Sequence, residues 1–149
     1  MKLPTTHIVT LVLALLSMCG CTHNNGDIGL WFGMWHLDSI EVNGAPDETY
    51  DGNCYFLFQG KVFSVRWVDE DNHSSHDSYA TWSESNDGTT MTVTFSDSRY
   101  SPQVSYEAPR LHLCPTTIFT VVDLTSTSMT LRHTGDDDSI ITTHFTRWR

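Results

Sequence analysis

Basic residues are scarce in this sequence. It contains 8 Lys and Arg against 18 Asp and Glu, which gives a formal net charge of −10 at pH 7. A strongly acidic chain is repelled by phosphate backbones and by anionic membrane surfaces. Nucleic acid is therefore excluded as an expected partner, and the acidic surface is interpreted as an aid to solubility.

Motifs that carry catalysis are also missing. The sequence has no nucleophile elbow, no glycine-rich phosphate loop and no zinc-protease helix. Its glutamates Glu41, Glu84 and Glu107 are scattered, whereas acid–base hydrolysis needs two carboxylates held across a cleft. We therefore predict no enzyme activity, no catalytic residue and no cofactor.

The spacing of the histidines and acidic residues shows whether the sequence contains a metal-binding motif. His73-x-x-His76-Asp77 has a spacing seen in some metal sites, but it falls in a predicted polar loop, Asp69–Ser78, without a helix to align the side chains. The acidic runs 69–71 and 136–138 lack the spacing of a calcium loop. Solvated turns are the expected interpretation, and no metal is predicted.

The longest apolar run near the amino terminus, Ile8 to Leu16, is too short to span a bilayer, which needs about 20 residues. With Lys2 ahead of it, it is typical of an export signal. Leu16-Ser17-Met18-Cys19-Gly20-Cys21 resembles a bacterial lipobox, in which a small residue precedes the lipidated cysteine. Cys21 fits better than Cys19, and an ordinary cleaved signal is the alternative.

These features divide the chain into three parts. Residues 1–20 are predicted to be a lipoprotein signal peptide, residues 21–29 a flexible tether and residues 30–149 one folded domain. A lipid on Cys21 would make the membrane a partner of the mature protein. The expected location is the outer membrane or cell surface, with the periplasmic face also open, and the oligomeric state is left undetermined.

Helical periodicity is absent, and short strand-like runs recur instead. In the first run, Gly33–Val42, strict alternation places Trp35, Leu37 and Ser39 on one face and Ile40 on the other. Seven or eight strands joined by local turns predict a barrel or a sandwich, and the meander order favours the barrel. The runs after the first are 54–58, 61–68, 79–83, 90–95, 118–124, 129–133 and 140–148, with a short piece within 103–106.

The opening Gly33-x-Trp35 resembles the lipocalin signature, and Arg147 matches the arginine that packs over that tryptophan from the last strand. The run Asp123 to Leu131, D-L-T-S-T-S-M-T-L, is similar to the late hairpin of compact lipocalin-like lipoproteins of Bacteroidetes. The resemblance covers about residues 30–149. It implies an all-β, antiparallel, up-and-down eight-stranded lipocalin-like barrel with Trp35 and Arg147 paired at its end.

The interior of such a barrel is either filled by side chains or holds one small ligand. The many aromatic residues favour a filled core, but a pocket is the alternative. Its predicted walls are Phe63, Val65, Trp67, Met91, Val93 and Met129.

Two functions are therefore carried forward. The first, by analogy with the family, is a lipid-anchored carrier of a small apolar or amphipathic ligand. The second is a surface module that binds a protein or a glycan through loops such as 69–78 and 97–109, with the barrel as scaffold.

Two cysteines remain after Cys19 leaves with the signal and Cys21 takes the lipid. In an exported chain, Cys54 and Cys114 are expected to form a disulfide. Two free buried thiols are the alternative.

Overall fold

A computed structural model describes residues 29–69, 71, 73–95 and 111–148. A 3-10 turn, η1 (Gly29–Trp31), leads into the first strand. Among the described residues, no helix is long and apolar enough to cross a membrane. The strands are β1 (Gly33–Val42), β2 (Ala45–Pro46), β3 (Cys54–Gln59), β4 (Val62–Asp69), β5 (Ser74–Glu84), β6 (Thr90–Thr94), β7 (Thr116–Leu124), β8 (Ser128–Thr134) and β9 (Ile140–Arg147).

One antiparallel sheet closes on itself. The strand order is β2-β1-β3-β4-β5-β6-β7-β8-β9, and a further pairing of β1 with β9 completes the ring. That pairing runs from Trp35 opposite Arg147 to Val42 opposite Ile141. The two-residue β2 only pairs with the end of β1, so eight strands form the wall. The predicted eight-stranded up-and-down barrel is confirmed.

The first strand departs from strict alternation. A β-bulge lies between Leu37 and Ser39 where β1 pairs with β9. Because a bulge inserts one residue, the inward face shifts by one position. Leu37 and Ile40 are therefore buried, while Ser39 is exposed. The prediction that Ser39 shares the inner face with Trp35 and Leu37 is wrong for this reason.

The fifth strand begins earlier than its sequence indicates. Ser74 to Ser78 belong to β5, so most of the predicted loop 69–78 is strand. Arg66 on β4 lies opposite Asp77 and donates from Nε and Nη2 to its two carboxylate oxygens, at 2.8 and 2.9 Å. These hydrogen bonds hold the pKa of Asp77 below its usual range. Polar pairs on the outer face of a barrel therefore give the strand a loop-like sequence. The short strand predicted within 103–106 lies outside the described residues.

The barrel has two unlike ends. We call the end that carries η1 the base; the turns at 60–61, 85–89 and 125–127 also lie there. We call the opposite end the mouth. The connections at 43–53 and 135–139 lie there, as do residues 71 and 73 between β4 and β5. Leu111 and Leu113 precede β7 at the mouth and are both buried in the hydrophobic core.

The base is held together by Trp35 and Arg147. The Trp35 side chain is fully buried, and its indole Nε1 donates to the backbone oxygen of Trp31 at 3.0 Å. The guanidinium of Arg147 lies 4.3 Å from the centre of the Trp35 ring. Its nitrogens also donate to the backbone oxygens of Ser126, Phe32 and Leu30. One arginine therefore ties η1, the β7–β8 turn and the core together.

Gly33 is required by the same arrangement. Its φ of +115° is one that side chains with a β-carbon rarely adopt. A Cβ placed there would lie 3.3 Å from Nη1 of Arg147. The spacing Gly33-x-Trp35 thus has a physical cause, since the glycine leaves room for the arginine that covers the tryptophan.

Arg147→Ala is expected to lower the free energy of unfolding by about 2 kcal/mol, because it removes the cation–π contact and leaves carbonyls without their charged donor. Arg147→Lys should recover less than half of this, since lysine lacks the planar fork. Urea titration measures both, with exposed Arg132→Ala as the control, expected within about 0.5 kcal/mol of wild type. Equal stability of Arg147→Ala and Arg132→Ala would contradict this role.

Candidate functional site

Five of the six predicted lumen residues lie in the hydrophobic core. Phe63, Val65, Met91, Val93 and Met129 are each at most 1 % exposed. Their surroundings are aromatic: the ring of Phe56 is 4.9 Å from that of Phe63, and also contacts the Phe119 and Phe145 rings. Within the described residues, the middle of the barrel is therefore filled by side chains.

Trp67 is the sixth lumen residue, and its position differs. It lies near the end of β4 at the mouth, is only partly buried and packs against the edge of the core. Its ring centre is 5.9 Å from that of His76 on β5. His76 therefore belongs to a strand and contacts an indole, and Asp77 beside it pairs with Arg66. In the run His73-x-x-His76-Asp77, His76 is therefore used for packing and Asp77 for an ion pair.

A cavity at the mouth adjoins Trp67. Its volume is about 240 Å³, and its lining residues are Asp51, Asn53, Trp67, Asp69 and Asp71. A second recess beside it, of about 440 Å³, shares Asp69 and also contacts Val68, His73, Ser74 and Ser75. No sequence pattern predicted that Asp51 and Asn53 line this cavity. They precede β3, and only the pairing of β3 with β4 places them beside Trp67.

The family model described as "Lipocalin-like domain" matches residues 14–137. The chain belongs to this lipocalin-like domain family. No curated protein matches the sequence.

Two solved structures have the same fold as this lipocalin-like domain. A lipocalin-like protein from Bacteroides uniformis is 17 % identical with a TM-score of 0.61, and the match covers 80 % of this chain and 100 % of that one. An uncharacterized protein from Bacteroides eggerthii is 15 % identical with a TM-score of 0.56, covering 79 % and 99 %. The resemblance to lipocalin-like proteins of the Bacteroidetes type is thereby confirmed at the level of the fold.

A buried histidine also lies toward the mouth. His133 on β8 is 4 % exposed, its Nε2 donates to the backbone oxygen of Leu111 at 2.7 Å, and its ring lies 4.7 Å from that of Phe119. Nδ1 has no hydrogen-bond partner among the described residues. Burial lowers the pKa of His133, and nearby His112 lowers it further. The alternation Met129, Leu131, His133 was the available sequence signal for this inward position.

The two predicted disulfide cysteines are free thiols in this lipocalin-like domain. Cys54 is buried at the start of β3, opposite Trp67, and burial raises the pKa of its thiol to about 12. Cys114 is only partly buried, and its backbone nitrogen donates to Oγ1 of Thr117. The two cysteines are therefore not bonded in this structure, and the alternative of two free buried thiols holds for Cys54 but only in part for Cys114. The prediction paired the two cysteines that remained after Cys19 and Cys21 were assigned. That procedure carries no information on whether the Cβ atoms of Cys54 and Cys114 are close enough for a disulfide.

The mouth also brings together groups that are distant in sequence. Nδ1 of His112 lies 3.1 Å from Oδ1 of Asp136 and 3.7 Å from Oδ2 of Asp137. The Asp137 carboxylate also accepts from the backbone nitrogen and hydroxyl of Ser139, which holds the pKa of Asp137 below its usual range. This cluster fastens the segment before β7 to the β8–β9 turn.

The burial of His133 predicts a pH dependence of stability. The pKa of His133 in the native state is lowered. As the pH falls below about 6.5, the unfolded chain therefore binds a proton at this residue, whereas the native state does not bind one. The free energy of unfolding should therefore fall on acidification, by up to about 2 kcal/mol between pH 7.5 and 5 from this group.

His133→Leu should remove this part of the pH dependence, whatever it does to stability at pH 7.5. Urea titrations at both pH values measure the difference, with His144→Gln as the control because His144 is only half-buried beside Glu41. An identical pH dependence in wild type and His133→Leu would show that His133 is not the group responsible.

Proposed function

We propose that this chain is an exported lipoprotein, anchored through a lipid on Cys21, whose barrel binds a small amphipathic molecule at its mouth. The observation that carries the binding proposal is the cavity of about 240 Å³ beside Trp67. The lipocalin-like fold is typically one of binding and transport, so a binding role is favoured over catalysis, although fold alone does not determine function.

The filled core argues for a site at the mouth. Phe56, Phe63, Phe119 and Phe145 occupy the described interior, and all are at most 2 % exposed. A ligand that entered this region would have to displace packed side chains, at a cost of several kcal/mol. The mouth cavity is smaller than the roughly 300–1,000 Å³ of typical small-molecule pockets. The proposed ligand is therefore small, with an apolar part against Trp67 and a polar part toward the cavity rim.

The anchoring proposal is supported by the sequence. Lys2, the apolar run ending at Leu16 and Gly20 before Cys21 form the pattern of a bacterial lipoprotein signal. Residues 21–29 would then tether the barrel to the outer membrane or cell surface, with the mature chain beginning at Cys21.

Native mass spectrometry of the mature protein, purified from its host into lipid nanodiscs, tests the binding proposal. A retained small molecule is expected in wild type and should be lost in Trp67→Leu, because the indole forms the apolar wall. Trp148→Leu is the matched control: Trp148 is 51 % exposed at the base and should leave binding unchanged.

A protein that carries no small molecule in any preparation, and binds none from a host extract, would overturn this proposal. The alternative, a surface module that binds a protein or glycan with the barrel as scaffold, would then be favoured. Equal loss of the molecule in Trp67→Leu and Trp148→Leu would move the site away from the mouth.

The anchor is tested by labelling growing cells with an alkyne fatty acid. Cys21→Ser should abolish labelling and release the protein from the membrane fraction, because the lipid is attached to that side chain. Cys19→Ser is the control and should still be labelled. Labelling that persists in Cys21→Ser but is lost in Cys19→Ser would assign the lipid to the other cysteine.

A further inference from the structure

An apolar patch lies on the outer wall of the barrel where β1 meets β3. Met34 pairs with Leu57 and His36 with Tyr55, and these four residues alternate along their strands with buried side chains. Because successive side chains of a strand point to opposite faces, the four lie on the outside of the barrel. All four remain partly exposed there.

Two more strongly exposed aromatic residues extend this patch. Trp148 donates from its backbone nitrogen to the oxygen of Met34 at 2.9 Å, and its ring centre lies 5.4 Å from that of Tyr55 and 5.8 Å from that of His36. Phe32 precedes Met34 by two residues. Trp148 is 51 % exposed and Phe32 is 43 % exposed. We call the six residues the wall patch: Phe32, Met34, His36, Tyr55, Leu57 and Trp148.

The surroundings of another exposed apolar residue, Ile118, are different. Ile118 on β7 is 61 % exposed, but it lies opposite Thr92, and the neighbouring outward residues of β6 are Thr90 and Thr94. Single exposed apolar residues are normal on a protein surface, whereas contiguous ones mark a surface that contacts a protein or a membrane. The wall patch is therefore a docking surface, and Ile118 is not part of one.

The wall patch lies next to the point where the predicted tether joins the barrel. η1 begins at Gly29, three residues before Phe32 and eight residues after Cys21. Eight residues span at most about 28 Å when fully extended and about 16 Å as a flexible coil. An eight-residue strand such as β9, tilted as in a barrel, rises about 20 Å along the axis. A bilayer that holds a lipid on Cys21 is therefore within easy reach of the wall patch, whereas the mouth would reach it only with the tether drawn out along the whole wall.

The distribution of charge favours the same orientation. Within the mouth connections 43–53 and 135–139 there are six acidic residues and no Lys or Arg: Asp47, Glu48, Asp51, Asp136, Asp137 and Asp138. The wall patch contains no acidic residue, and Asp38 at its edge accepts hydrogen bonds from Nδ1 of His36 at 2.8 Å and Oγ1 of Thr146 at 2.5 Å. An anionic membrane surface therefore repels the mouth more strongly than the wall patch.

The chemistry and size of the wall patch fit a bilayer better than a second protein chain. Tryptophan and tyrosine combine an apolar ring with a polar group, and both are favoured at the interface between a membrane and water. A stable protein–protein interface takes about 20–30 residues on each side, many more than the wall patch supplies.

We propose that the wall patch docks on the surface of the bilayer that holds the Cys21 anchor. Trp148 and Phe32 lie in the interface, and the mouth is turned away from the membrane, where it stays open to solvent. This inference deepens the anchoring part of the proposed function and rests on it.

The test measures the tryptophan fluorescence of the full mature protein in vesicles of phosphatidylcholine. A second set of vesicles carries bromine near the head-group end of the acyl chains, which quenches only tryptophans in contact with the lipid. Wild type should lose about a fifth of its emission in the brominated vesicles, because Trp148 is one of five tryptophans. The loss should disappear in Trp148→Leu and persist in Trp67→Leu, since Trp67 lies at the mouth.

Matched variants locate the docking surface. Phe32→Ser should at least halve the quenching of Trp148, because it removes an apolar side chain from the same patch. Ile118→Ser is the control and should leave the quenching unchanged: it removes an exposed apolar side chain from β7, which is four strands from β3 in the ring of eight and so on the opposite side. Thermal melting confirms that each variant is folded, and the comparison of Trp148→Leu with Trp67→Leu does not depend on Phe32→Ser.

The outcomes separate this inference from the proposed anchor. Vesicle-bound protein without quenching would keep the anchor and overturn the docking. Quenching that is lost in Trp67→Leu but kept in Trp148→Leu would turn the mouth to the bilayer and also overturn it. A dimer of the unlipidated Cys21→Ser protein that dissociates in Trp148→Leu, measured by sedimentation, would assign the wall patch to a second copy instead. Mature protein that carries no lipid on Cys21, and neither binds the vesicles nor is quenched by them, would overturn both.

Discussion

The pairing of β1 with β9 is the constraint on which the rest of the molecule depends. It turns a meander of eight strands, β1 and β3 to β9, into a closed wall and places Trp35 opposite Arg147 at the base. Closure removes the free sheet edges, so the backbone donors and acceptors of both terminal strands are used within one chain. The same pairing contains the bulge in β1, which shifts the inward face so that Ile40 is buried after Leu37.

Closure at this strand number leaves a narrow interior, and the side chains fill it. Four phenylalanines meet near the centre, and Trp31 and Trp82 extend the aromatic packing to the base. Such a core stabilises the fold, but it leaves the described interior without room for a ligand. The ligand site proposed above therefore lies at the rim, where the connections carry polar residues and Trp67 is only partly buried.

At the rim, the buried Nδ1 of His133 lacks a hydrogen-bond partner among the described residues. An unpaired buried polar atom lowers stability, and this one lies at the same end of the barrel as the proposed ligand site. The base, in contrast, uses its arginine on three backbone oxygens and one indole.

The sequence by itself determined the fold class and the base. Alternation in runs such as Thr90–Phe95, and Gly33-x-Trp35 with Arg147, are local patterns with a direct structural cause. Tertiary structure alone decided that Ile40 replaces Ser39 on the inner face and that Cys54 and Cys114 are free thiols. It alone also placed Asn53 beside Trp67. Bulges, Cβ separations and cavity linings depend on contacts between strands, and those contacts follow from closure rather than from any single run of residues.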